Sequence, residues 1–203
     1  MGRGFLRFRL ARVWTVAMVL TLPGFANVST AWQQALASPA TALDLDGHPV
    51  DPLKKSAGKV TVLIFVRTDC PVANRYAPTI QRLSTQFEGK ATFWLVYPSK
   101  AESAEQIRKH EQEYGYKLAA LRDPQHALVK AAEVQVTPEA AVFDAGRRLI
   151  YHGRIDDLYV DIAKARSAPT THDLADAIQA AISGKSLAAE GKPGVGCFIS
   201  DLE

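Results

Sequence analysis

Apolar residues along the chain fall into runs and periodic stripes. Val60-Thr61-Val62-Leu63-Ile64-Phe65-Val66 and Ala91-Thr92-Phe93-Trp94-Leu95-Val96-Tyr97 are near-continuous apolar runs. Each reads as a strand buried in a sheet. Between them Tyr76, Ile80, Leu83 and Phe87 are spaced four, three and four, the period of an amphipathic helix. Ser103-Ala104-Glu105-Gln106 has the form of a capping box, with Gly115 as the stop of the helix it opens. Leu118–Leu121 reads as a short strand ended by Asp123-Pro124, and 125–132 as a short helix. Ala140–Phe143 and Leu149–His152 are strands joined through the hairpin turn Asp144-Ala145-Gly146, and 41–50 is a smaller hairpin about Asp46-Gly47. After an irregular polar stretch, 154–171, the positions Leu174, Ala177, Ile178, Ala181 and Ile182 make one helical face, stopped by Gly184.

Strands alternating with helices, then a hairpin and a last helix, predict an α/β fold: a mixed central sheet with helices on both faces. The 203 residues suit one domain, placed at 41–184, with a tail over 185–203. The tail carries Pro193-Gly194-Val195-Gly196 just before Cys197, and so many glycines read as mobility.

Charge changes the picture at one end. The net charge is +3, but Arg3, Arg7, Arg9 and Arg12 stand in the first twelve residues and no acid precedes Asp44. The other 20 Lys and Arg nearly balance the 21 Asp and Glu. A body this neutral has no basic stripe for nucleic acid. The arginines precede the apolar stretch 13–22 and the breaker Pro23-Gly24. That order predicts a secretory signal over 1–31, cleaved after Ala26 or Ala31, with an uncleaved anchor as the alternative. The implied compartment is periplasmic or extracellular, and oxidising.

Two cysteines, Cys70 and Cys197, stand 127 positions apart. Cys70 lies between a strand's end and a helix's first turn, where the helix dipole and unpaired N–H groups favour a thiolate. The alternative is a small buried hydrophobe. Pro71 suits the first turn, where its missing N–H costs nothing. Asp69 reads as the helix cap, with proton acceptor as the alternative. Arg67 and Arg75 read as solvated surface residues. His48, His110, His126, His152 and His172 are scattered, with no second ligand at motif spacing, so neither metal nor cofactor is expected.

The stretch Asp69-Cys70-Pro71-Val72-Ala73-Asn74-Arg75-Tyr76-Ala77-Pro78 resembles the active-site turn of the thioredoxin superfamily, in which a proline kinks the helix eight residues after the first cysteine. Val136-Thr137-Pro138 is similar to the superfamily's cis-proline, which faces that sulfur. The resemblance covers roughly 41–184 and is nearest to the redoxins: peroxiredoxins, alkyl hydroperoxide reductases and periplasmic thiol oxidoreductases. It implies a thioredoxin-like fold, with 106–132 as a redoxin-type insertion. The chain departs from both main patterns. Ala73 stands where thioredoxins have a second cysteine. Arg67 stands where peroxiredoxins have a threonine, and Pro138 near where they have an arginine. Copper-delivery proteins of the same fold use Cys-x-x-x-Cys, and Asn74 replaces the second cysteine of that motif.

The resemblance therefore implies an exported thiol–disulfide oxidoreductase with Cys70 as nucleophile. Thr137 and Pro138 form its substrate edge. Cys197 is a resolving thiol, half of a permanent staple, or unpaired; acting with Cys70 it requires the tail to fold back over the strand-to-helix turn, or to reach that of a second subunit. A thiol peroxidase working through a Cys70 sulfenic acid is the alternative enzyme, and a non-catalytic binding module the alternative of another class. The expected partners are a protein or small-molecule thiol or disulfide and an external thiol reductant, with no nucleic acid and no stable membrane insertion.

Overall fold

The computed structural model describes residues 1–2, 40–56, 59–185 and 190–200. The fold belongs to the unit Ala35–Glu203. The signal segment expected over 1–31 lies almost wholly outside the described residues.

Seven strands form one mixed sheet. In chain order they are β1 (Ala42–Leu43), β2 (Pro49–Val50), β3 (Val60–Phe65), β4 (Ala91–Tyr97), β5 (Ala119–Arg122), β7 (Glu139–Phe143) and β8 (Leu149–Gly153). Their order across the sheet is β2-β1-β5-β4-β3-β7-β8. β3, β4 and β5 are parallel neighbours, while β7 pairs antiparallel with β3 and β8 antiparallel with β7. The short β6 (Val136–Thr137) stands before β7 and outside this sheet.

The unbroken apolar run of β3 has a direct cause: all six residues are buried, because both sheet faces are covered. Val62 and Ile64 face a core shared with Ile80, Ile107, Leu174 and Ile178. Those residues come from α3 (Ala77–Gln86), α4 (Ala104–Tyr114) and α6 (Asp173–Ile182). Leu63 and Phe65 face the opposite core, with Leu53 of α1 (Pro52–Lys55) and Leu128 and Val129 of α5 (Ala127–Ala132). Each fully buried side chain of this size contributes about 1.5–3 kcal/mol. Asp123 closes β5 and starts α5, its carboxylate accepting from Ala127 N, Leu128 N and Val129 N.

The helix after β3 is broken. α2 (Pro71–Arg75) ends at Tyr76, and α3 begins at once with Pro78 in its first turn. Proline has no N–H to carry the helical ladder across that point. The capping box of α4 forms as expected from both sides, and Gly115 closes the helix at φ 66°.

Two segments depart from the pattern reading. Residues 154–171 are not irregular throughout: β9 (Tyr159–Asp161) pairs antiparallel with β10 (Lys164–Ala165). The stretch is organised by Asp157, whose carboxylate accepts from the Thr170 hydroxyl and from Thr170 N and Thr171 N. These hydrogen bonds hold its carboxyl below the usual carboxylate range. The second concerns the tail: its glycines read as mobility, yet it folds back over the Cys70 turn, as joint action of the two cysteines requires, with β11 (Cys197–Phe198) pairing antiparallel with β6.

Candidate active site

Four residues singled out in the sequence meet at one point. Cys70 occupies the N-cap position of α2 and is fully buried, with 0% exposure. Its thiol donates to the Thr137 carbonyl oxygen at 3.1 Å. Thr137-Pro138 is a cis peptide. Cys197 is the register partner of Thr137 across the β11–β6 pair, and the Thr137 hydroxyl lies 3.4 Å from the Cys197 carbonyl. Both cysteines are free thiols. Burial pushes the Cys197 thiol up to about 11, and the neighbouring Cys70 thiol acts in the same direction. Arg67 pulls in the other direction. At neutral pH Cys197 therefore holds its proton.

The turn carrying Cys70 is fixed from below. Glu102, itself buried, accepts from Thr68 N at 2.6 Å, and Asn74 donates to the Thr68 carbonyl at 3.0 Å. The Asn74 side-chain oxygen Oδ1 lies 2.8 Å from His110 Nε2, and His110 Nδ1 lies 2.9 Å from the Tyr97 hydroxyl. This run of polar contacts joins α4 and β4 to the cysteine turn. Desolvation raises the Glu102 carboxyl above the usual range and lowers the His110 imidazole below it. Asn74, in the position of a second cysteine in the copper-delivery motif, is a structural strut.

Asp69 does not cap α2. It is exposed and pairs with Arg67 at 2.8 Å, because Cys70 itself takes the cap position. Arg75 is exposed as expected. Arg67 is not simply solvated: its guanidinium is largely covered and also reaches the Phe198 carbonyl at 3.4 Å.

The tail's glycines serve close approach, not mobility. A Cβ at Gly196 would overlap the Thr137 carbonyl. One at Gly194 would come within 2.7 Å of Glu139, and one at Gly191 within 2.5 Å of Tyr151. Glu139 is the tail's main polar anchor. One carboxylate oxygen accepts from Gly194 N at 2.7 Å, and the other from Gln135 N at 2.9 Å and Val136 N at 3.3 Å. Pattern reading missed Glu139 and Glu102. For Glu139 a signal existed, an acid at the head of an apolar strand straight after the proline. For Glu102 there was none.

Beside Pro138 lies a cleft of about 320 Å³, lined among others by Tyr76, Asp156, Tyr159, Lys192 and Val195. The Tyr76 hydroxyl donates to Asp156 at 2.6 Å, which ties α2 to the 154–171 segment. Among the described residues, the ligating atoms of Asp44, Asp46 and His48 come within 4.8 Å of one another on the first hairpin. Asp44 there already accepts from the Asp46 and His48 amides. That cluster stands apart from the cysteine pair.

A buried cysteine at a strand-to-helix turn, faced by a cis-proline, on a mixed sheet with helices on both sides, defines the thioredoxin-like class. Residues 30–167 match the family Redoxin, and the chain belongs to that family of thiol-dependent oxidoreductases. No curated protein matches. Among solved structures, the chain is similar to an uncharacterized conserved protein from Geobacillus kaustophilus, at 24% identity and TM-score 0.68 over 80% of this chain and 88% of that one. It is similar to a hypothetical protein from Sinorhizobium meliloti 1021, at 23% identity and TM-score 0.68 over 80% and 91%. It also resembles a secreted disulfide oxidoreductase of Mycobacterium tuberculosis homologous to E. coli DsbE, at 19% identity and TM-score 0.51 over 71% and 96%. At these identities the likeness is one of fold. Among the described residues no helix is long and apolar enough to cross a membrane.

Proposed function

We propose that the chain is an exported thiol–disulfide oxidoreductase in which Cys70 is the nucleophile and Cys197 resolves it. The observation that carries this reading is the seating of Cys197 opposite Thr137, whose carbonyl accepts the Cys70 thiol. In the first step Cys70, as thiolate, attacks one sulfur of a disulfide RSSR. A Cys70–S–S–R bond forms and RS⁻ leaves. Cys197 then loses its proton to solvent or to the departing thiolate and attacks the Cys70 sulfur. The Cys70–Cys197 bond forms, and a second RSH leaves. One disulfide is reduced and one protein dithiol oxidised. An external dithiol reverses the protein's oxidation by the same chemistry.

The Cys197 thiol, held protonated by its burial beside Cys70, supports this order of attack. The distance between the cysteines in sequence is no obstacle, since closure entropy grows slowly with loop length. Export rests on the cationic, then apolar, opening of the chain.

The test is mass spectrometry of the thiols after brief exposure to a disulfide. The expected product is a Cys70–Cys197 bond. Cys197→Ser should instead accumulate Cys70 as a mixed disulfide, keeping the first step and losing multiple turnover. Unchanged turnover in Cys197→Ser overturns the resolving role, and a bond that mild reductants cannot open makes it a staple. Hydrogen peroxide in place of the disulfide, with rapid peroxide consumption and a sulfenic acid on Cys70 in Cys197→Ser, would point to the peroxidase alternative. Fractionation of cells expressing the full chain tests export.

A further inference from the structure

Strand β6 offers the backbone edge beside the Cys70 sulfur. An edge of this kind is where an extended polypeptide pairs when it presents a disulfide to a buried thiol. Here the chain's own tail already holds it. Cys197 and Phe198 pair with Thr137 and Val136, and Ile199 N donates to the Gln135 carbonyl at 2.9 Å. Upstream, Gly191 N donates to His152 O at 2.8 Å and Arg154 N to Lys192 O at 2.9 Å, so the tail also follows β8. Ile199 is buried in the α5-side core, Glu139 grips Gly194, and Arg67 reaches Phe198. The glycines at 191, 194 and 196 fit where no side chain could. Meanwhile the cleft of about 320 Å³ beside Pro138, walled on one side by Lys192, Pro193 and Val195, remains open. Cys70, at 0% exposure, does not line it, so a low-mass disulfide that enters there needs a local opening beside Pro138 to meet the sulfur, a smaller movement than release of the tail.

From this arrangement we infer that the tail selects the substrate: Cys70 reacts with low-mass disulfides, while extended polypeptide disulfides are excluded until the tail leaves β6. The inference rests on the assignment of Cys70 as nucleophile. The bonds made and broken are those written above, with R a small organic group. A polypeptide must wait for the fraction of molecules whose tail is released. If that fraction is about 1%, its reaction is slowed about 100-fold.

The experiment compares two oxidants with the same leaving thiol. One is hydroxyethyl disulfide. The other is an unfolded polypeptide bearing a single mixed disulfide with mercaptoethanol. Second-order rates of Cys70 oxidation are measured on the reduced full-length chain, on Gly196→Val, which cannot seat beside Thr137, and on Ile199→Asp, which removes the apolar anchor. Chymotrypsin cleavage after Phe198, whose backbone is held against β6 while the tail is docked, reports whether each tail is released. In the native chain the low-mass disulfide should win by about 100-fold, and release should shrink that preference at least tenfold by raising the polypeptide rate. Equal rates in the native chain, or a preference unchanged in a variant whose tail is cleaved quickly, overturn the selection by the tail and leave the Cys70 assignment standing. A Cys70 that reacts with neither oxidant in any of the three proteins overturns the assignment, and this inference with it.

Discussion

At the scale of single residues, the two buried ionisable groups beneath the cysteine turn respond to pH in opposite senses. His110 sits among Tyr97, Tyr114 and Tyr116, and burial lowers its pKa. In the unfolded chain it takes up a proton near pH 6.5, whereas in the folded chain it does so only at lower pH. Stability is therefore lost as pH falls through the unfolded value toward the folded one. Glu102, whose pKa is raised, binds its proton more tightly when folded, so its contribution grows as pH falls through that raised value. Urea midpoints at pH 7.5 and 5.5 separate the two. His110→Gln should flatten the acid-side loss. Glu102→Gln should steepen it, because the favourable uptake is removed and the histidine is left unopposed. An unchanged difference between the two pH values in His110→Gln would remove that imidazole from the account.

At the scale of elements, the contrast between what the sequence told and what it concealed is physical. β3 and β4 were legible because a strand buried on both faces needs an unbroken apolar run. α4 was legible because its cap and stop are local: Ser103 and Gln106 bond within one turn, and Gly115 needs φ above zero. β9, β10 and β11 have two or three residues each, too few for any period to register. β11 also pairs with a partner sixty positions away, and no local signal carries that information. Of the candidate site, Cys70, Pro138 and Cys197 could be named in advance. The support Glu102 could not, because acids gain their roles only from which amides surround them, and Glu139, conspicuous after the proline at the head of an apolar strand, gave no hint of which amides it would hold. Glu139 gives a test at this scale. Glu139→Gln keeps the shape but replaces one accepting oxygen by a donor. Either Gly194 N or the Gln135–Val136 pair then faces an N–H. The expected loss is about 1–3 kcal/mol in urea unfolding, together with faster chymotryptic cleavage after Phe198. A change below about 0.5 kcal/mol would show that water replaces the carboxylate without cost.

At the scale of the whole molecule, the docked tail joins two points that the chain separates by 127 positions. The folded state brings Cys197 to Cys70 without any search, whereas an unfolded chain rarely does so. A bond between them would close a long loop in the unfolded ensemble, a constraint worth about 4–5 kcal/mol by chain-entropy reckoning. For a protein of this size that is a rise of about 10–15 °C in the thermal midpoint on oxidation. Scanning calorimetry of the reduced and oxidised forms measures it, and a rise under about 3 °C would mean that the bond strains the fold as much as it restrains the coil. The relation also runs backward. Whatever free energy the bond adds to folding, folding adds to the bond, so the native chain holds its electrons about 100 mV less readily than its denatured self. Heat resistance and electron affinity thus become one variable. In a compartment whose oxidants fluctuate, the fraction of these molecules that survive a warm spell would record how oxidising the surroundings had been.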